Sequence, residues 1–546
     1  MIEGLVGWMK ANGDDGRTPG IVCDALLRIS SFASIRSSTR ALLTALERER
    51  GPWHDQLLLA LGATGSPEAL MPLLERLQPG YQDKTAEAPG DRATGALLDA
   101  LLLYFERAPA DGRAADPLLA FLERASGEQR LKGVALLGAA RCERAVPALV
   151  ELLEHRDGEL RLAAVRALGA IGDPTSAPAL LRLADGRKAR LRYEAARALG
   201  KVAGENHLGP LLERLLSARA VDRHAVLHAL GAALARLRAQ GELSPENARR
   251  ALEALSQIAA SEDKQLAARA VDALAAWGDP VAATAVGGQA RSPLLGRRVG
   301  AVMALGHFDT PEVLGSLRRI ARKGPVQVLS AAAISIGETG NQSDVDGLLR
   351  MAERFRWPVP ASASFALARL ARRGELQKLS TARKLCQLAR SREPYVRANL
   401  AVAMASLGAA ACEQGPDPLR WLDLDHAAAV RASAAHWVHA SATAGRIAPE
   451  QASRVLGNCA RRDPEPAVAR VCRHGAPPAL DSKVDVYAYQ TDGETLLRFK
   501  LVALRLSDGS VFVGYTDLNG HLRLRNAPAG GFELEYPGLT PLEPME

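Results

Sequence analysis

His224 and His228 stand four residues apart, a spacing that puts two imidazoles on one helix face where they could share a metal, with Asp222 nearby. The acidic residue that a HExxH site carries between its histidines is missing, so solvated or packed histidines are the expectation. His436 and His439 form a similar pair, of which one should point into packing. Six cysteines, at 23, 142, 386, 412, 459 and 472, include no CxxC and no obvious pairing, which reads as reduced thiols rather than a disulfide or zinc framework. There is no G-x-S-x-G, no P-loop and no Cys/His constellation. The residue types therefore lead to no catalytic, cofactor-binding or metal site. The expectation is a non-enzyme that needs no cofactor and works through a surface.

What positions these residues is a repeat. A ten-residue motif ending in Ala-Leu-Gly has its ending plainest at Gly138, Gly169, Gly200 and Gly231, 31 residues apart each time. Leu160 to Gly169 and Leu191 to Gly200 are the best copies. Small and apolar residues at the first, fourth, fifth, eighth and ninth positions recur on a helical period, and Gly followed by Asp-Pro reads as a helix stop. A second apolar segment such as Ala177 to Ala184 makes the unit a helical hairpin, which must stack on its neighbours to bury its apolar face.

The apolar-Arg, Ala-Ala, Ala-Leu-Gly, Ile-Gly-Asp-Pro and Pro-Ala-Leu-Leu series resembles the HEAT repeat, in the short form also called the phycobilisome-lyase HEAT-like repeat. That resemblance implies an armadillo-type α-solenoid. It continues through Leu266 to Ala275, Arg297 to Gly306, Val328 to Gly337 and Val359 to Ala368, then loosens at Val396 to Ala405 and Val430 to His439. Earlier copies at Trp53 to Gly62 and around Gly20 to Ile29 extend it toward the start, and the clearest repeats span 129–440. Composition fits stacked Ala/Leu helices, being 47% hydrophobic but only 4% aromatic. Residues 77–95 read as a surface loop, and 239–265 as an enlarged repeat with a helix start at Ser244. The opening residues are too short and interrupted for a signal-peptide core, and a cytoplasmic setting is expected. The di-iron hydroxylases built on HEAT repeats carry His-Glu dipeptides, of which this chain has none.

The helical period ends before residue 482, so a solenoid over 1–480 is followed by a β-sandwich module over 482–546. Val484 to Gln490, Leu496 to Leu506, Val511 to Thr516, Leu522 to Arg525 and Phe532 to Tyr536 read as strands, divided by Asp492-Gly, Asp508-Gly, Asn519-Gly and Pro528 to Gly531. The run from Thr516 to Phe532 resembles the strand-turn-strand signature of carboxypeptidase-regulatory-like, transthyretin-like sandwiches. The resemblance implies that Asp517 and Gly520 shape the turn, and that the module is a binding or packing appendage.

The module carries 6 Lys/Arg against 9 Asp/Glu, a balance of −3, leaving 63 against 52 for the first 481 residues. A basic array could follow a phosphate backbone, as HEAT-like DNA glycosylases do, but no Lys/Arg run or interleaved aromatics accompany the charge. Arg161, Arg192, Arg298, Arg397 and Arg431, at the second motif position, are expected to make contacts within the array.

The motif helix lines the concave side in HEAT solenoids, which makes its third and seventh positions a ladder. Arg166, Tyr193, Arg197, His224 and His228 form a polar, basic stretch of it; Val299, Met303, Ile334, Phe365 and Val402 form an apolar one. An apolar groove beside a basic one suits a partner helix or peptide. The same apolar residues would be hidden by tighter curvature or by the C-terminal module folding back. The leading expectation is an adaptor that holds a protein or peptide partner; the alternatives are a nucleic-acid binder and a chromophore- or protein-modifying lyase subunit.

Overall fold

The computed structural model describes residues 36–48, 54–78, 91–108, 110–184, 188–217, 223–376, 379–408, 417–474, 482–488 and 497–536, with isolated positions such as 412 and 480. The copy around Gly20 to Ile29, most of the 77–95 loop, Cys23, Asp222 and the Asp492-Gly turn lie outside them. Two compact units divide the chain, Met1–Asn247 and Ala248–Glu546. Each is a stack of helical hairpins of the α-solenoid type, and the second also contains a small antiparallel β module. No described helix is long and apolar enough to cross a membrane.

The motif helices of the first unit include α1 (Gly127–Ala139), α2 (Gly158–Ile171), α3 (Ala189–Val202) and α4 (Arg223–Gln240). Those of the second are α5 (Lys264–Trp277), α6 (Leu295–Leu305), α7 (Val326–Thr339), α8 (Val359–Arg372), α9 (Pro394–Ser406) and α10 (Ala428–Thr443). Helix α2 shows why the repeat folds as it does. Asp157 caps its start by accepting from the Glu159 and Leu160 amides, and Leu160, Ala164, Val165 and Leu168 are buried on one face.

The Ala-Leu-Gly glycine does not stop the helix. Helix α2 runs through Gly169 and ends at Gly172, which takes the left-handed conformation at φ 84°. Gly138, Gly200, Gly231 and Gly337 are likewise inside their helices, although Gly306 does cap α6. The reason for glycine is contact with the next repeat. A Cβ on Gly169 would meet Ala198 Cβ at 2.8 Å, and one on Gly138 or Gly337 would lie 2.7 Å from the Cα of Ala167 or Ala366. Packing between neighbours, rather than turn chemistry, fixes the 31-residue signature.

The second-position arginines hold the array together where their contacts are resolved. Arg397 donates from Nε and Nη2 to Asp425 at 2.9 and 3.0 Å, and Arg431 donates likewise to Asp463 at 2.7 and 2.9 Å. Both arginines also bond backbone carbonyls just ahead of their own helices. Ser244 serves as the expected helix start, its Oγ accepting from the Asn247 amide at 3.3 Å.

Four cysteines depart from the expected free thiols. Cys386 pairs with Cys412 and Cys459 with Cys472, at Cα separations of 5.7 and 6.0 Å. The pairing was invisible in the sequence because neither spacing belongs to a known framework and the partners meet only once the helices stack. Cys142 is a buried free thiol, its pKa pushed up to about 11 by burial first and then by the charges of Asp111 and Asp116.

Two outcomes follow. Gly169→Ala should cost roughly 1–3 kcal/mol by overpacking, whereas Gly209→Ala, at a helical position with open space around it, should be neutral or mildly stabilising; urea unfolding compares the two. Burial opposes ionisation of Asp463, but the Arg431 hydrogen bond, the Glu465 amide and the Arg431 charge together outweigh it and hold the carboxyl below its ordinary value of 3.8. A depressed carboxylate contributes stability above its unfolded pKa and loses it as pH falls through the folded one. Asp463→Asn should therefore cost about 1.5–3 kcal/mol near neutrality. The difference from wild type should shrink progressively below about pH 4 in the same unfolding assay.

Candidate functional site

The β module comprises β1 (Ser482–Tyr487), β2 (Leu501–Arg505), β3 (Val511–Tyr515), β4 (His521–Ala527) and β5 (Glu533–Glu535). β1 pairs with β4, and a three-stranded sheet runs in the order β3-β2-β5, all antiparallel. The expected strand at Leu496 to Leu506 is shorter than its pattern: residues 498 and 499 turn, with Phe499 at φ 51°, before β2 begins. Asp517 accepts the Asn519 and His521 amides at 2.7 and 2.8 Å, and Gly520 sits at φ 68°, so both shape the turn as the motif implied.

This module lies on the motif helices of its own unit. Ile334 and Phe365 are buried in one cluster with Val484, Val502, Leu504, Phe512, Leu522 and Leu524, and Met303 packs against it. Phe365 meets Phe512 edge to face, with ring centroids 5.6 Å apart. Val299 and Val402 are also buried. The groove expected to be open to a partner along Val299, Met303, Ile334, Phe365 and Val402 is therefore corrected to a covered face, because the sheet needs a second apolar layer and the chain supplies its own.

Polar side chains missed by the sequence reading complete the docking. β3 is an edge strand, and the helices satisfy its free side one after another. Ser362 on α8 donates to the Val513 carbonyl at 2.7 Å. Asn399 on α9 both accepts the Val511 amide at 2.8 Å and donates to the Val511 carbonyl at 3.0 Å. Ser433 on α10 donates to the Gly509 carbonyl at 2.7 Å. All three occupy the fourth motif position, which is Ala163 in α2 and Ala331 in α7. Other copies carry Lys132, Glu194 or Arg269 at this position, so polarity there did not by itself mark the docking repeats; small neutral polar residues in three successive copies are what distinguish them. Arg369, 1% exposed, pairs with Glu338 at 3.1 Å and donates to the carbonyls of Arg525 and Asn526 at the end of β4. Tyr395 donates to Glu535 at 2.8 Å, and its hydroxyl pKa rises to about 12 through burial and then that bond.

Where the Asp517 turn enters, small residues make room. Leu518 packs over Gly296, Asp517 lies against Gly300, and the Asn519 side chain donates to the Gln265 carbonyl at 3.4 Å. The turn brings Asp517 and His521 to Asp272 on α5, with His521 Nδ1 3.5 Å from Asp272 Oδ2. These three line a cavity of about 30 Å³ with His307, Val299, Met303 and Tyr515. Burial, reinforced by the Asp272 charge, raises the Asp517 pKa to about 7. Burial also acts against charge on Asp272, but the His521 hydrogen bond and the positive charges of His521, Arg269 and Arg523 hold that carboxyl below its ordinary value. His307 is pushed down to about 3, by burial first and then by Arg523 and Arg525, so it is a neutral imidazole. The sequence puts Asp517 in a turn and gives no sign of a link to Asp272, since the two lie in different elements far apart in the chain.

In the first unit the two arginines of the polar ladder are exposed, while Tyr193, His224 and His228 are partly buried. Arg166 and Arg197 are exposed and converge on Glu194, at 3.0 and 3.7 Å. Tyr193 and His228 lie ring to ring with centroids 5.8 Å apart, and His224 is half-buried nearby on α4.

Two segments, 115–200 and 252–337, match the family model described as HEAT repeats. No curated protein matches the chain. Among solved structures, Kap95 in complex with Nup1 aligns at 13% identity and TM-score 0.46, over 83% of this chain and 74% of that one. Kap95p with RanGDP aligns at 12% and 0.36, over 87% and 74%. Human deoxyhypusine hydroxylase in complex with glycerol aligns at 17% and 0.21, over 59% and 99%. At these identities the likeness concerns helical-repeat fold alone.

Asn399→Leu keeps the side-chain size but leaves the Val511 amide and carbonyl unpaired against the helix, at a cost of about 1–3 kcal/mol. Amide exchange of β3 should speed up while that of α1 to α4 stays unchanged; unaltered β3 protection would remove Asn399 from the docking.

Proposed function

We propose that the chain is a non-enzymatic adaptor that holds a protein partner on the ladder helices of its first unit, through Arg166, Tyr193, Arg197, His224 and His228. The observation that carries this reading is the use the second unit makes of its ladder helices: motif helices there grip a folded β module through seventh and fourth positions. The first-unit ladder offers the same positions with a polar and aromatic character, Arg166 and Arg197 being exposed. Its aromatic pair offers stacking area, and the exposed Arg166 and Arg197 with Glu194 between them offer mixed-charge hydrogen bonding to a protein partner.

The nucleic-acid alternative is disfavoured by the sharing of Glu194, which offsets the positive charge of Arg166 and Arg197 where a phosphate backbone would need it. The lyase alternative has no residue set that supports it. The β module, in this reading, is a carboxypeptidase-regulatory-like sandwich kept as a packing appendage rather than a recognition head. The two disulfides favour an oxidising compartment over the cytoplasmic setting expected from the cysteine pattern.

A photo-crosslinking residue at position 197 in the full chain should yield a discrete protein adduct in native extract. Arg166→Glu with Tyr193→Ala should remove that adduct while helicity stays unchanged. An adduct that survives the double change would overturn the assignment of the ladder, and binding to DNA that falls steeply with salt would replace the adaptor reading with the nucleic-acid one.

A further inference from the structure

Asp272, Asp517 and His521 are the one gathering of metal-ligating side chains found among the described residues, with a donor atom of each within 4.8 Å of the other two. A first-row divalent cation binds such atoms at about 2.0–2.2 Å, so modest side-chain rotations would bring all three onto one ion. The geometry of Asp517 leaves a donor free for this. Its Oδ1 is held by the two turn amides, while Oδ2 is buried and has no hydrogen-bond partner. Asp517 is only 8% exposed. Asp272 Oδ2 is also buried, with His521 Nδ1 3.5 Å away, and His307 lies on the wall of the same cavity.

Buried polar atoms are normally paired, and two carboxylates facing each other in a closed space need a positive charge between them. The cavity of about 30 Å³ has room for an ion or a water. We propose that Asp272, Asp517 and His521 bind a divalent cation of the zinc class, which staples the Asp517 turn of the β module to helix α5. Two carboxylate oxygens and one imidazole nitrogen form a mixed set that suits zinc better than a hard alkaline-earth ion, which prefers oxygen ligands throughout. Because one ligand comes from a motif helix and two from the module, cation binding and module docking are thermodynamically one event.

The test uses the full chain, stripped with EDTA, desalted and titrated with zinc chloride, with bound metal measured by mass spectrometry and thermal unfolding followed in parallel. Wild type should take up one zinc per chain and unfold at higher temperature with zinc than without. Asp272→Asn, which keeps its shape on α5, and His521→Gln should each lower zinc affinity at least about tenfold and lose the thermal shift. Should His521→Gln fail to fold, Asp272→Asn decides alone. The proposal is overturned if wild type binds no zinc, or if Asp272→Asn binds it as wild type does, which would put the ion elsewhere. It is equally overturned if Asp272→Asn raises the unfolding temperature while zinc leaves wild type unmoved, the behaviour of two carboxylates that share a proton.

Discussion

Val511 turns its amide and carbonyl toward the side chain of a helix residue rather than toward another strand, and the second unit is organised around that substitution. A buried strand edge must pair every backbone group or lose several kilocalories per mole. Helices have no free backbone groups along their length to offer, so the pairing has to come from side chains. Asn399 is the residue for this purpose, since its amide carries one donor and one acceptor at the spacing of a peptide group. Ser362 and Ser433 repeat the solution one helix to either side. Three consecutive repeats thus act as the missing neighbour of β3, and the edge is neither bare nor available to another chain.

The apolar side of the same contact runs in the other direction. The three-stranded sheet has Leu504 and Phe512 on one face, and Ile334 and Phe365 complete their cluster from the helices. Neither layer buries its apolar surface alone, so the module and helices α7 to α9 form one cooperative body, held at its rim by the buried Arg369–Glu338 pair reaching the end of β4. A buried ion pair of this kind adds little net stability, because desolvation offsets the attraction, but it punishes misplacement: an Arg369 without both Glu338 and the carbonyls of 525 and 526 would be an uncompensated buried charge. Apolar contact supplies the driving force and the polar anchors fix the register.

The repeat and its period were legible because a helical hairpin that stacks must return to the same residue types at the same interval. The strand pattern at 511–515 and 521–527 was legible for the analogous reason at period two. What escaped was whatever depended on a partner element. Gly169 reads only as the last small residue of its motif until Ala198 is seen 2.8 Å from where its Cβ would be. Cys386 and Cys412 read as isolated until the helices bring them together. The apolar run from Val299 to Val402 was visible as a stripe, but a stripe carries no information about its cover. The fourth position carried little more: Ser362, Asn399 and Ser433 are small neutral polar residues in three successive repeats, but earlier copies place Lys132, Glu194 or Arg269 there, and only burial makes a polar residue costly unless something polar faces it.

Asp517 shows how one side chain can serve fold and chemistry at once. A turn of this kind needs a single carboxylate oxygen, because the amides of Asn519 and His521 converge on one acceptor. The second oxygen is then surplus, and on a solvent-facing turn water would take it. Here Gly296 and Gly300 admit the turn between helices, water access is lost, and the surplus oxygen faces Asp272 and His521. The close approach that docks the turn is therefore also what concentrates charge beneath it, so any change that seats the module more tightly increases the need for a positive counterpart. Packing and electrostatics at this junction cannot be tuned separately. That coupling is why the junction, rather than the open ladder, is where the chemistry of the second unit gathers.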